Sequence, residues 1–142
     1  MFPRADIPVV ELSMDENQPP EACYNIGRRL MPLRKKGVLV MGSGNVVHNL
    51  GRMDWAQPDG AYGWSVRVDD TVRTAVTSDP VDLPTLESLP ATGDGALAIP
   101  SAEHYLPLAH LAGMAAAEGE PLRTLTTGIA YGSVSMASYV LA

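Results

Sequence analysis

The apolar run Val38–Met41 (VLVM) empties directly into GSGNVVHNLG, residues 42–51. No other junction narrows the choice of fold as much. A short apolar run rich in β-branched residues and closed by glycine reads as a buried strand. A similar run, Ile7–Leu12 (IPVVEL), lies upstream, and the segment between the two reads as a helix. Ser13–Pro20 is a polar turn, and Pro20 suits a helix opening. Ile26, Leu30 and Leu33 recur at spacings of four and three, and Gly37 follows as a stop. The spacing predicts a helix over 21–36. Strand, helix and strand in succession form a crossover unit, which predicts parallel pairing and a sheet covered on both faces. The expected fold class is α/β, with a mostly parallel or mixed central sheet flanked by helices.

Downstream, 53–63 reads as loop and 64–75 as helix. Prolines 80, 84, 90 and 100 break up 77–100, leaving a helical turn or two near 83–89. Ser101 reads as the N-cap of a helix to about 117, with Glu103 in its first turn and a kink at Pro107. Gly119 reads as its stop, and 133–141 as a last strand. The length fits a single domain, 1–142. The early proline and immediate strand make the chain start as if already inside a fold.

Composition narrows the functions. A hydrophobic share of 46% is too high for a disordered chain. A net charge of −6 argues against nucleic acid, whose phosphates need a basic surface. The basic cluster Arg28, Arg29, Arg34, Lys35 and Lys36 reads as the solvated face and C-terminal end of a helix. A lone Cys23 rules out an intrachain disulfide framework and points to a reducing cytoplasm. No stretch reaches the roughly 18 apolar residues of a membrane helix, and residues 1–8 do not read as a signal peptide.

Three histidines carry the candidate chemistry. His48 follows a predicted strand end, where α/β sheets bind ligands. Gly42 and Gly44 would give the backbone tight or positive-φ freedom there. Local sequence leaves two readings open, a metal ligand or catalytic base and a hydrogen-bonded structural histidine. GSGNVV is not a dinucleotide fingerprint, because Val47 stands at the third glycine position, and no P-loop lysine follows. His104 falls in the first turn of a predicted helix, with Tyr105 beside it to position a substrate. A capping or surface role also stays open for it. His110, six residues on, sits about 240° around the helix from His104 and reads as structural or surface. A catalytic metal takes about three protein ligands, so these scattered histidines alone make a weak metal site. There is no Gly-x-Ser-x-Gly elbow for a serine hydrolase. Asp69 and Asp70 read as solvated helix surface.

Four stretches read together resemble one family. They are ADIPVVELSMD (5–15), LVMGSGNVVHNL (39–50), SAEHYLPLAHLAG (101–113) and GIAYGSVSMASYVL (128–141). In order, and over nearly the whole chain, they resemble the C-terminal half of the class III extradiol ring-cleavage dioxygenases of the 4,5-DOPA dioxygenase type. The wider superfamily includes the β subunit of protocatechuate 4,5-dioxygenase. The resemblance implies the C-terminal portion of that fold and a mononuclear non-haem Fe(II) site, often holding zinc when isolated. It implies three metal histidines, of which His48 is one, and an acid–base histidine near the substrate, His104. Asn45 and Asn49 would orient His48. The implied reaction opens a catechol such as DOPA with O2 beside its diol, giving a muconic semialdehyde. The two other metal histidines of the family lie in Gly-His-Gly-Ser-Pro and Ser-Ala-His-Trp motifs, and neither motif is present. Leu108–Leu111 is not a substitute. The resemblance also places Met1–Pro3 against the interior of a longer member. Three accounts follow: a fragment, a subunit whose N-terminal-half partner chain or second copy completes it, or a catalytically silent binding or assembly module. A missing half predicts exposed apolar surface on the run 38–41 and on the main helices.

Overall fold

The computed structural model describes residues 3, 4 and 6–142. Met1, Phe2 and Ala5 lie outside the described residues, so the expected placement of Met1 and Phe2 against a longer member does too. The first helix, α1, is Pro20–Arg34. It opens on its proline as expected, with Glu21 in the first turn and Arg34 in the last, charges that suit the helix dipole. Gly37 takes the left-handed φ of 78° that a chain reversal needs there.

The two strand-like runs on either side of α1 are not strands. Val10 is 91% exposed and Leu39 72%. A strand exists through its ladder to a neighbour, and among the described residues neither run has one. The expected parallel sheet is therefore absent there. The exposed apolar surface expected on 38–41 is present, whereas α1, one of the main helices on which it was also expected, exposes no large apolar side chain.

α2 is Gly63–Thr77, and Val68, Val72, Ala75 and Val76 turn one face of it into the core. The proline-rich stretch is more helical than expected. Asp82 accepts a hydrogen bond from the Thr85 amide and caps α3, Leu83–Ser88. A 3-10 turn, Leu89–Ala91, leads to α4, Gly93–Ala98, capped by Thr92. α5 is Leu106–Glu118 and is buried along most of its length, including His110. Its expected kink does not occur. The helix starts five residues after Ser101, so Pro107 falls in the first turn, where its missing N–H costs nothing. α1 lies across α5 at two glycines. A Cβ on Gly27 would overlap the His110 carbonyl, and one on Gly113 would overlap that of Tyr24. The two backbones therefore pass within touching distance.

The C-terminal segment forms two small antiparallel sheets in place of one last strand. β1, Arg123–Thr126, pairs with β4, Ser138–Val140, through a bulge. β2, Ile129–Ala130, pairs with β3, Val134–Ser135. The fold is thus α/β, with helices around a core of Val47, Val72, Leu86, Ala112 and Leu122 beside these two sheets. Among the described residues no helix is long and apolar enough to cross a membrane.

Asp70 is exposed as expected, but Asp69 is buried and accepts a hydrogen bond from the Ser135 hydroxyl. Burial raises its pKa, against the opposing pull of that hydroxyl and of Arg73. The folded chain therefore favours the protonated acid. That contribution to stability is complete below the ordinary aspartate range and is lost as pH rises through the raised folded value. Asp69→Asn, which stays neutral and keeps the acceptor oxygen, is expected to flatten this loss. Unfolding midpoints measured between pH 4 and 8 would converge at the acid end and favour the asparagine variant at the neutral end. Parallel curves would contradict the assignment.

Candidate functional site

His48 reaches its place without a strand to carry it. Its backbone N–H donates to the Ala98 carbonyl at 2.9 Å, and it bridges Val134 of β3. On either side, Asn49 N–H donates to the Ser133 carbonyl and Ser135 N–H to the Val47 carbonyl. Two distant segments thus hold one residue, which is 6% exposed.

The imidazole is held as tightly. Nδ1 lies 2.9 Å from the Asn45 carbonyl and Nε2 lies 3.1 Å from the Ser101 carbonyl. Both partners are acceptors, whereas a neutral imidazole carries only one N–H. Placing that hydrogen on Nδ1 satisfies the shorter contact. A lone pair on Nε2 then faces a carbonyl, an arrangement that improves as soon as Nε2 receives a proton. Burial opposes the resulting charge and lowers the His48 pKa. The Asn45 carbonyl pulls the other way, and nearby His104 pushes it down further.

His104 stands beside it, with ring centroids 5.0 Å apart and planes tilted by 51°. Its side chain is 51% exposed. It lies in the turn before α5, not in the helix's first turn as expected. Ser101 and Glu103 join the two histidines. The Ser101 hydroxyl donates to Glu103 at 2.7 Å, and Glu103 lies 3.9 Å from His104 Nε2. Sequence reasoning read this Ser-x-Glu pair as a helix cap and first-turn acid. It belongs to the site, and its closeness to His104 in the chain was the available signal.

The other candidates take different positions. Asn45 orients His48 through its backbone carbonyl, while its side-chain amide donates to the Ser135 carbonyl at 2.6 Å. The Asn49 amide donates to the Leu97 carbonyl and does not touch His48. Tyr105 is a core residue whose hydroxyl donates to the Leu86 carbonyl, and burial raises its pKa. Its hydroxyl is therefore committed to the core. His110, buried in α5, hydrogen-bonds the Leu106 carbonyl, in line with a structural role.

Gly42 and Gly44 do not take positive φ. Their role is close approach. A Cβ on Gly44 would overlap the His104 carbonyl, which accepts from the Asn45 N–H at 3.0 Å. Gly44→Ala is expected to break that bond, separate the imidazoles and cost about 1–3 kcal/mol of stability by overpacking. Urea unfolding and a shift in the His104 ring resonances would register it. An unchanged chain would mean that the two loops are not in contact.

Among the described residues, no three His, Cys, Asp or Glu side chains converge as a metal site would require. Two imidazoles alone do not fit a closed iron(II) centre. Among the described residues, the chain offers one exposed imidazole with no hydrogen-bonded ring nitrogen beside one buried imidazole whose two nitrogens face carbonyls.

No family model matches the chain. It is 39% identical over 140 residues to a 4,5-DOPA dioxygenase extradiol of Escherichia coli K12, matching 97% of this chain and 51% of that protein. Proteins of the same name from Beta vulgaris and Portulaca grandiflora are 32% and 33% identical, each with 98% of this chain and 51% of their own length matched. A crystal structure of an uncharacterised protein from Escherichia coli K12 superposes with a TM-score of 0.86 at 38% identity, covering 98% of this chain and 57% of that one. The chain spans about half the length of the curated relatives it matches, as the resemblance to a C-terminal half implied. By sequence it is similar to the proteins named 4,5-DOPA dioxygenase extradiol over about half of their length.

Proposed function

We propose that this chain supplies one side of an extradiol ring-cleavage site. The site acts on a catechol such as DOPA with O2 at a mononuclear iron(II) centre whose other ligands come from a second polypeptide. The observation that carries this is the pairing of His48 and His104, distant in sequence, at 5.0 Å between ring centroids. When bound, iron(II) would supply the template on which catechol and O2 meet. The roles we propose exchange those the resemblance implied. His104, exposed and with no hydrogen-bonded ring nitrogen among the described residues, provides the ligand. His48 is proposed to accept a catechol proton at Nε2 when the substrate oxygen displaces the Ser101 carbonyl that this nitrogen now faces at 3.1 Å. The Asn45 carbonyl holds the ring so that Nε2 stays aimed. The lone Cys23 is a buried free thiol whose pKa burial raises, in keeping with the reducing cytoplasm proposed for the chain.

The test is an anaerobic iron(II) titration of the chain, alone and mixed with the unmatched half of the Escherichia coli relative. Oxygen uptake with DOPA follows. The reading expects about one iron and oxygen consumption in the mixture, and neither in the chain alone. A mixture that associates but takes up neither iron nor oxygen would favour the silent assembly module.

A further inference from the structure

Ser135 of β3 is a junction. It is 1% exposed, and every polar group it has is paired. Its N–H donates to the Val47 carbonyl at 2.9 Å. Its carbonyl accepts from the Asn45 side-chain amide at 2.6 Å. Its hydroxyl donates to Asp69 of α2 and accepts from the Ala137 N–H at 3.1 Å. Asn45 carries the connection into the site. Its carbonyl faces His48 Nδ1 at 2.9 Å, and its N–H donates to the His104 carbonyl at 3.0 Å. One asparagine therefore touches both histidines, and Ser135 fixes its side chain. From the Asp69 carboxyl to the His48 ring the path runs through Ser135 and Asn45, with a hydrogen bond between each residue and the next.

The carboxyl has little else to do where it lies. Its second oxygen stands 4.0 Å from Arg73, beyond hydrogen-bond reach. Ser135 is thus its one hydrogen-bond partner among the described residues. Burying a carboxyl is costly, and an apolar residue on this face of α2 would pack without that cost. A paired polar network in a core compensates by fixing one arrangement of the groups it joins. Here the groups at its far end are two imidazoles with ring centroids 5.0 Å apart.

We propose that Asp69 is a positioning residue. Acting through Ser135 and Asn45, it sets the orientation of His48 and its spacing from His104. The consequence for turnover rests on the functional reading above. The positioning itself does not.

The test reads the His48 ring by nitrogen NMR of the intact chain, with its imidazoles isotopically labelled and no metal added. In the parent the ring proton is expected on Nδ1, facing the Asn45 carbonyl and exchanging slowly with solvent. Asp69→Ala is expected to speed that exchange roughly tenfold, the opening that follows loss of one hydrogen bond from the network. It is also expected to move both ring nitrogen resonances towards those of free histidine. Asp69→Asn keeps an acceptor oxygen for the serine and is expected to restore the parent ring. Val72→Ala opens a cavity on the same helix, so it is expected to lower stability and leave the His48 ring as it was. Should Asp69→Ala not fold, Ser135→Ala removes the same bond, retains the backbone partners Val47 and Asn45, and is expected to loosen the ring alike. An unchanged ring in the variant that removes the bond would overturn the proposal. So would a Val72→Ala effect as large as that of the removal, or an asparagine variant that behaves like the alanine. A ring that loosens as expected, in a chain that yields neither iron uptake nor oxygen consumption in the titration above, would sink the functional reading and leave the positioning role standing. Oxygen consumption with an unchanged ring would do the reverse.

Discussion

Gly113→Ala is expected to lower the unfolding free energy by about 2 kcal/mol. In an ordinary helix the same change stabilises, because alanine outranks glycine by about 1 kcal/mol. Here the new Cβ would meet the backbone carbonyl of Tyr24 in α1. A side chain could swing aside, but a helix backbone cannot, so the overlap is charged near the top of the usual range, about 3 kcal/mol. The sign of the measurement is therefore the test. Urea unfolding followed by circular dichroism would show the midpoint falling with an unchanged slope. Gly93→Ala serves as the control, since a Cβ there meets nothing within 4 Å. If Gly113→Ala proved more stable than the parent, α1 and α5 would not cross where they appear to.

The second large effect separates the two histidines in the completed site. His48→Gln is expected to leave iron stoichiometry near that of the parent and to slow turnover by roughly 10²–10⁴-fold, the usual worth of a positioned proton acceptor. His104→Ala is expected to lose the metal itself. The resemblance alone predicts the opposite pairing. Elemental analysis together with oxygen uptake decides between them. Metal lost from His48→Gln and retained in His104→Ala would restore the original roles and discard the argument from the two carbonyls.

The sequence showed the parts whose signals are local. α1 was readable from its proline opening, although the face it buries is Cys23, Gly27 and Met31 and not the expected Ile26, Leu30 and Leu33, and the end of α5 from Gly119, which takes φ 79°. It also marked His48 and His104, though not the fit between them. What failed was non-local. Val38–Met41 has the composition of a strand, but a ladder needs a neighbour, and composition does not say whether one is present. Asp69 looks like surface until Ser135 arrives from the other end of the chain to bond it. Tyr105 looks available until Leu86 takes its hydroxyl. The cap assigned to Ser101 failed because Pro107 can itself occupy a first turn, which moved the helix start and left Ser101 and Glu103 to join the histidines.

The bonds around His48 also set an order of events during synthesis. Its neighbour Asn45 is tied to Ser135, 90 positions later, and its ring to Ser101, 53 positions later. A ribosome that has delivered the histidine has not yet delivered the residues that aim it. The growing chain therefore exposes an ordinary, unaimed imidazole until Ser101 and Ser135 have emerged. Any chemistry that depends on this geometry has to wait until Ser135 has emerged.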